Sequence, residues 1–558
     1  MLTIERPSDA PVEAEAGLIR RLWARPLWAH VLVYALMLLA LLPLMRVELP
    51  FTTDEGLYGL QAEQLRDGRW DYPYRLADID PDGRWFPYDR ADRAESRFFP
   101  LAKRPLYSSL LSVTTRLVGD AHGLVVFSVL GALAAAAAAW LVAAEIASGA
   151  SRRAFWIVAV GPVAVHSSLV WAHAPSAAIA GFAVLLAVRI ARRPVSTLAM
   201  TAFALLCAAG VLIRAEGLLL AGAVAAPLAV TVGRRRGAAR GLAVGAVAAG
   251  AAVAALAVEG RWVETIHGGQ PGVPAVRASG GVGYLPGRIT GAWHSLLQGA
   301  YDDPLAALCL AAATVAIVLA GLAARRPARL AAAAPLLWAA AGLVVLRLAV
   351  APDDPVPGLV AAWPVALVGL LWLRRLSPDQ AVVACIAGLF ATSILLTQYP
   401  EGGGLEWGGR FFAPLLTSVA ALASVGLGWL RRAAFTPVVV LALLPLLLGF
   451  NAVRDGRVYG DRVVDDVVAW STEIVVTDAD ALPLFAWRHD AAHQWLLVPA
   501  DERPEALEAL HRRGVTELTL VVAADGAADT GRYGEVSDVT TSAIAGAGLR
   551  MLVVSEPG

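Results

Sequence analysis

Two carboxylates stand side by side at Asp54 and Glu55, within Phe51-Thr52-Thr53-Asp54-Glu55-Gly56-Leu57-Tyr58, just past a long apolar segment. Thr53 or Asp54 can cap a helix over residues 56–66, whose Leu57, Tyr58, Leu60, Ala62 and Leu65 share one face. A helix N-terminus favours the ionised carboxylate, so Asp54, with Glu55 beside it, is placed to accept a hydroxyl proton as a new bond forms. The same residues also suit a plain cap that settles the helix dipole. Further on, Lys103 and Arg104 immediately precede an amphipathic stretch over 106–118. Cations at that point could hold a phosphate leaving group whose charge grows as its bond breaks. Interfacial cations of this kind also simply snorkel to lipid headgroups.

Other polar groups gather at the ends of later apolar runs. Arg214-Ala215-Glu216 lies between two of them, where burying either charge alone is costly. It fits a structural ion pair as well as a phosphate or sugar contact. Glu406-Trp407-Gly408-Gly409-Arg410 sets flexible glycines beside a cation, adding Arg410 to the phosphate candidates and Glu406 and Trp407 to the substrate contacts. His173, at a turn, and Tyr58 complete that set. Asp78, Asp80, Asp82 and Asp89, with Gly83 between them, are spaced like a calcium loop in which aspartate replaces the final glutamate. Pro81 fits such a loop badly, and the flanking aromatic residues suit a hairpin with a Pro-Asp-Gly turn. Calcium, magnesium or manganese is therefore a candidate cofactor, and no other cofactor is signalled.

The elements that must position these groups are membrane spans. Of 558 residues 58% are hydrophobic and mean hydropathy is +0.61, which a soluble protein does not carry. Apolar segments at 27–45, 121–147, 154–171, 175–190, 197–213, 217–232, 242–257, 304–324, 330–350, 358–373, 381–397, 411–430 and 437–450 read as about thirteen spans. Arginine clusters at 152–153, 192–193, 234–236, 325–326, 374–375 and 431–432 fall in every second connection, on the side of the N-terminal arm with Arg20, Arg21 and Arg25. By the positive-inside rule that side is cytoplasmic. The long polar connections, 47–120, 259–303, 399–410 and everything after 451, then lie outside. Segment 259–303 is rich in Gly and Pro and suits a mobile lid or a linker. Cys207, Cys309 and Cys385 lie in apolar runs without metal-ligand spacing, and read as packing residues.

Residues 1–450 are thus expected to form the membrane domain, and 451–558 a small extracytoplasmic α/β domain. In the latter, 474–477, 495–498, 518–522 and 551–554 read as buried strands and 502–513 as a helix. It has no Gly-rich phosphate loop, and nothing in the chain points to nucleic acid.

Thr53-Asp54-Glu55-Gly56-Leu57-Tyr58 resembles the acidic first-loop motif of the GT-C membrane glycosyltransferases, in particular the protein O-mannosyltransferase and aminoarabinose transferase branch. Lys103-Arg104-Pro105-Leu106-Tyr107 resembles that branch's Lys-Pro-Pro-Leu motif with arginine for the first proline, and Arg214-Ala215-Glu216 an Arg-Pro-Glu signature without its proline. The resemblance spans residues 27–450 and implies an all-α polytopic fold transferring sugar from a polyprenyl-phosphate donor to a glycan, lipid or protein acceptor. Carried over by position, Asp54 would activate the acceptor hydroxyl and Lys103 would hold the phosphate. One base without a carboxylate nucleophile suits inversion by single displacement. The expected setting is a bacterial plasma membrane, with its lipids as neighbours. A transporter or flippase would instead need ionisable groups deep in the spans, and a non-catalytic assembly protein would need only the C-terminal domain.

Overall fold

The computed structural model describes residues 25–88, 90–94, 97–100, 104–266, 285–296, 304–324, 332–350, 358–373, 375–397, 408–428, 435–489, 492–525, 530 and 533–556. The chain is predominantly helical. Among the described residues nine helices are long and apolar enough to cross a membrane, and Thr197–Ile213 and Ala333–Arg347 are apolar but shorter. Two of the thirteen expected spans are broken. Residues 154–171 divide between Ser151–Ala159 and Pro162–His166, and 358–373 between Leu359–Ala362 and Pro364–Leu371. Each break falls at a proline, which lacks an N–H and pushes the residue before it out of helical geometry. Gly161 and Trp363 are those residues, and they pack on each other. The Trp363 indole N–H donates to Ile157 O at 2.9 Å, a carbonyl near the end of the broken helix.

The helices that carry the site are α1 (Leu27–Leu41), α2 (Thr53–Arg66), α3 (Pro105–Val118), α4 (His173–Arg192), α5 (Thr197–Ile213) and α6 (Glu216–Arg236). Arginines in the last turns of α4 and α6 meet at one end of the bundle. Arg189 and Arg192 reach Glu145 at 2.7 and 3.2 Å, and Arg192 and Arg235 reach Asp379 at 3.3 and 3.8 Å. Because α4 ends and α5 begins there, the start of α4 and the α5–α6 junction lie at the opposite end, with Asp54 and Arg410.

Helix α7 (Phe435–Trp470) runs unbroken from the bundle through the expected boundary at 451 and leads into the C-terminal unit. A short hairpin of β1 (Arg90–Ala94) and β2 (Arg97–Pro100) precedes α3. The C-terminal sheet comprises β3 (Ile474–Thr477), β4 (Gln494–Leu497), β5 (Glu517–Ala523), β6 (Glu535–Asp538) and β7 (Leu549–Ser555), in the order β4-β3-β5-β7-β6. Neighbours β4, β3 and β5 run parallel, and β5, β7 and β6 antiparallel. Four strands and the helix α9 (Arg503–Arg512), which follows the short α8 (Leu482–Phe485), fall where the apolar runs put them. Strand β6, Glu-Val-Ser-Asp, is an edge strand whose polar sequence gave no strand signal.

Part of the loop between α2 and the hairpin is annexed by this unit. Leu76 and Trp85 join Val476, Leu496 and Leu510 in its core. Trp85 O accepts from Leu497 N at 2.9 Å, its indole N–H donates to Glu502 at 2.9 Å, and Arg84 makes a two-pronged contact with Glu505 at 2.8 and 3.0 Å.

Candidate active site

Helix α2 starts three residues earlier than its sequence suggests, and its cap lies one or two residues earlier. Thr52, extended at φ −137° and ψ 161°, is the N-cap, and its Oγ1 accepts from Glu55 N at 3.4 Å. The cap leaves Asp54 and Glu55 in the first turn, pointing in different directions. Asp54 is about a third exposed (34%), and its Oδ2 lies 3.5 Å from Arg410 Nη1. Arg410 in turn lies over the rings of Trp171 and Phe411, at 5.2 and 5.1 Å from their centroids, a cation–π seat that fixes its guanidinium.

Glu55 has different partners from its neighbour. Its side chain is 1% exposed and fully engaged: Oε2 accepts from Phe51 N at 2.5 Å, Oε1 from Val170 N at 2.6 Å, and Arg457 Nη2 lies at 3.2 and 3.3 Å from the two oxygens. A carboxylate so surrounded has no opening to an acceptor. Arg457, a residue sequence reasoning did not single out, sits in α7 at 0% exposure. Its signal was faint: it continues the buried stripe Leu446, Gly449, Phe450, Val453, where a charge is out of place.

Around Asp54 the remaining candidates assemble from four elements. At the α5–α6 junction Arg214 grips Glu216 through two bonds of 2.9 and 2.6 Å, and its Nη1 is 3.3 Å from His173 Nδ1 at the start of α4. Burial works against the Arg214 charge, but Glu216 outweighs it and holds the guanidinium above its ordinary value. Of the two readings of this motif, the ion pair is present; Arg214 also lies 5.9 Å from the Phe411 ring centre, beside Arg410's platform. His173 is buried between His166 and Trp171, with ring centres 5.3 and 5.0 Å away. Tyr58 on α2 meets Tyr107 on α3 edge to face at 5.2 Å, and burial pushes both phenols above their ordinary range, keeping them protonated. Arg104, at the start of α3, is nearly buried and paired with Glu259, and its electrostatic neighbours include Glu216, Arg214 and Tyr58.

Asp54, Tyr58, Arg104, His173, Arg214, Glu216 and Arg410 therefore share one end of the bundle. Lys103, Asp89, Glu406 and Trp407 lie outside the described residues, as does most of 259–303; its helix Leu285–Leu296 brings Ser295 O against Gly409. Among the described residues the calcium-loop aspartates do not converge. Asp80, 3% exposed, accepts from Tyr74 Oη at 3.0 Å, Arg84 N at 2.7 Å and Trp85 N at 2.9 Å, while Asp78 pairs with Arg513 at 3.0 Å. Gly83 takes φ +54°, completing the Pro-Asp-Gly turn. No group of three or more His, Cys, Asp or Glu close enough to hold a metal occurs among the described residues. The aromatic residues of this loop are likewise engaged: Tyr72 packs on Phe86 and Tyr88, and Trp70 on Trp262.

These features define a polytopic helical membrane protein whose polar site lies at one end of the bundle, beside a C-terminal α/β unit. No family model matches the sequence, and no curated protein matches it. Among solved structures it is similar to ArnT from Cupriavidus metallidurans bound to undecaprenyl phosphate, at 14% identity and a TM-score of 0.48, over 94% of this chain and 97% of that one. It is also similar to the oligosaccharyltransferase of Archaeoglobus fulgidus, at 12% identity and a TM-score of 0.44, over 89% of this chain and 70% of that one. No residue role transfers at such identities, so the chemistry is read from this chain's own side chains.

Proposed function

We propose that the protein is a GT-C-type membrane glycosyltransferase, moving a sugar from a polyprenyl-phosphate donor to an acceptor hydroxyl. Transfer takes place at the membrane face away from the arginine-rich connections. In a bacterial plasma membrane that face is extracytoplasmic, with the N-terminus in the cytoplasm and the C-terminal unit outside. Nucleotide sugars are absent there, so a lipid-carried donor is the chemical requirement.

The observation that carries this reading is the Asp54–Arg410 pair: a partly exposed carboxylate held 3.5 Å from a guanidinium seated on aromatic faces. Glu55 and Glu216 are committed to Arg457 and Arg214, which leaves Asp54 the carboxylate of this group with a solvent-facing edge. In the transfer step the acceptor oxygen attacks the sugar's anomeric carbon and its proton passes to Asp54. The bond from that carbon to the donor phosphate breaks, and its electron pair leaves on the phosphate oxygen. Arg410, with Arg104, Arg214 and Lys103 as further candidates, neutralises the departing charge. One base and no carboxylate nucleophile give inversion at the sugar carbon.

The decisive variant is Asp54→Asn, which keeps shape and removes the base. Transfer should fall by about 10²–10⁴-fold, the usual contribution of a general base, with normal expression and with binding of undecaprenyl phosphate tightened rather than lost. Membranes of a strain lacking the gene should accumulate the lipid-linked sugar, which mass spectrometry of lipid extracts identifies as the donor. Undiminished transfer by Asp54→Asn removes Asp54 from the mechanism.

A further inference from the structure

The back of the Asp54 helix is held by the C-terminal third of the chain. Along α2, positions 54, 58 and 61 face the site and α3, where Ser108 Oγ donates to Gln61 at 2.7 Å. Positions 55, 56 and 59 face the other way. Glu55 meets Arg457 of α7. A Cβ on Gly56 would lie 1.9 Å from Leu484 O of α8, and one on Gly59 would lie 2.5 Å from the Trp487 ring. One helix turn of α7 joins in, because a Cβ on Gly456 would lie 2.8 Å from the Phe51 ring. Only hydrogen fits at these places, so backbone and ring lie directly on the helix.

Arg457 does more than neutralise Glu55. Its Nη1 donates to Met45 O at 3.0 Å, just beyond α1, and its Nη2 donates to Ser168 O at 2.8 Å. Glu55 repeats the pattern by accepting from Phe51 N and Val170 N. One buried ion pair thus ties the start of α2 to the 167–172 turn. That turn carries Trp171, whose indole N–H donates to Thr52 Oγ1 at 3.3 Å and whose face supports Arg410. Asp54 is attached to one side of this knot and Arg410 to the other.

We propose that Arg457 is a positioning residue, setting the separation of Asp54 and Arg410, and that the contact of α2 with Leu484 and Trp487 completes the seat. This rests on the reading of Asp54 as the base. Arg457 is fully buried and bonds to Glu55 and two backbone carbonyls, so it acts through Asp54 and Arg410.

The test uses full-length protein purified in detergent, added to membranes of the deletion strain, with consumption of the accumulated lipid-linked sugar followed by mass spectrometry per folded molecule. The informative variant is Glu55→Gln/Arg457→Met, which removes both charges together and so avoids stranding one of them in the interior. It should stay monodisperse yet turn over about 10–100-fold more slowly at saturating donor, the scale of a misplacement near 1 Å, with the donor KM within threefold. Arg457→Lys, keeping one donor, should recover part of that rate. Gly59→Ala should slow turnover through its clash with Trp487, and Gly59→Ala/Trp487→Leu should restore it; this pair decides the matter if the first variant does not fold. A folded Glu55→Gln/Arg457→Met protein with wild-type turnover overturns the proposal, as does a Gly59→Ala enzyme of unchanged rate. Asp54→Asn run alongside separates the two claims, because full activity there defeats the base assignment whatever the Arg457 variants do.

Discussion

On the proposed reading Asp54 and the donor phosphate compete for the Arg410 guanidinium, and that competition can be measured without any transfer chemistry. Two unit charges 3.5 Å apart attract by about 1.2 kcal/mol in water and about 4.7 kcal/mol at an effective dielectric constant of about 20. Asp54 is a third exposed, so the lower part of that range applies, at about 1–2 kcal/mol. Neutralising Asp54 frees Arg410 from that attraction and also removes a negative charge that would repel the incoming phosphate. Asp54→Asn should therefore bind undecaprenyl phosphate about five- to thirtyfold more tightly than the parent, even as transfer collapses. Titration of the lipid into nanodisc-embedded protein, read by native mass spectrometry, measures this directly. Arg410→Ala should move the other way, weakening binding by about 1.5–3 kcal/mol, the worth of a charged hydrogen bond. If folded Asp54→Asn binds the lipid with unchanged or lower affinity, Arg410 is not shared between carboxylate and phosphate, and the electrostatic logic of the site fails.

Two further outcomes test the surroundings. Glu216→Gln leaves the buried Arg214 guanidinium without its charge partner, and should destabilise the detergent-solubilised protein by about 3–5 kcal/mol, seen as an earlier loss of the monodisperse peak on heating. Asp80→Asn should loosen the loop at residues 74–85, giving faster limited proteolysis there, while neither calcium nor chelator shifts the parent's thermal transition; a calcium-dependent shift would mean that the aspartates do hold a metal.

Local features of the site were legible in the sequence, and its long-range pairings were not. A threonine before two acids and an apolar stripe announces a helix start, and the α2 cap falls within two residues of that expectation. Apolar runs placed every long apolar helix among the described residues, but run length alone counts an interrupted segment as a span. The prolines at 162 and 364 were the missed cue. Sequence reading singles out Asp54 as the base with Glu55 beside it, but residue type and spacing offer no physical ground for separating two adjacent carboxylates. What separates them is Arg457, 402 positions beyond Glu55, and Arg410, 356 beyond Asp54. Periodicity reports which face of a helix is apolar and is silent about which distant element meets it. The Pro-Asp-Gly turn and the calcium loop shared one spacing, and the backbone N–H groups of Arg84 and Trp85 are what claim Asp80 for the turn.

Helix α7 has a mechanical consequence. Its 36 residues, Pro445 among them, run about 54 Å along the helix path at ~1.5 Å per residue, well beyond the roughly 30 Å of a bilayer's hydrocarbon. A strut of that kind sets the height at which the terminal sheet stands above the lipid, and it denies the sheet the free swing that a flexible tether would give. A load applied to the sheet would be borne by the same strut that sets Arg457 against Glu55 at the start of α2.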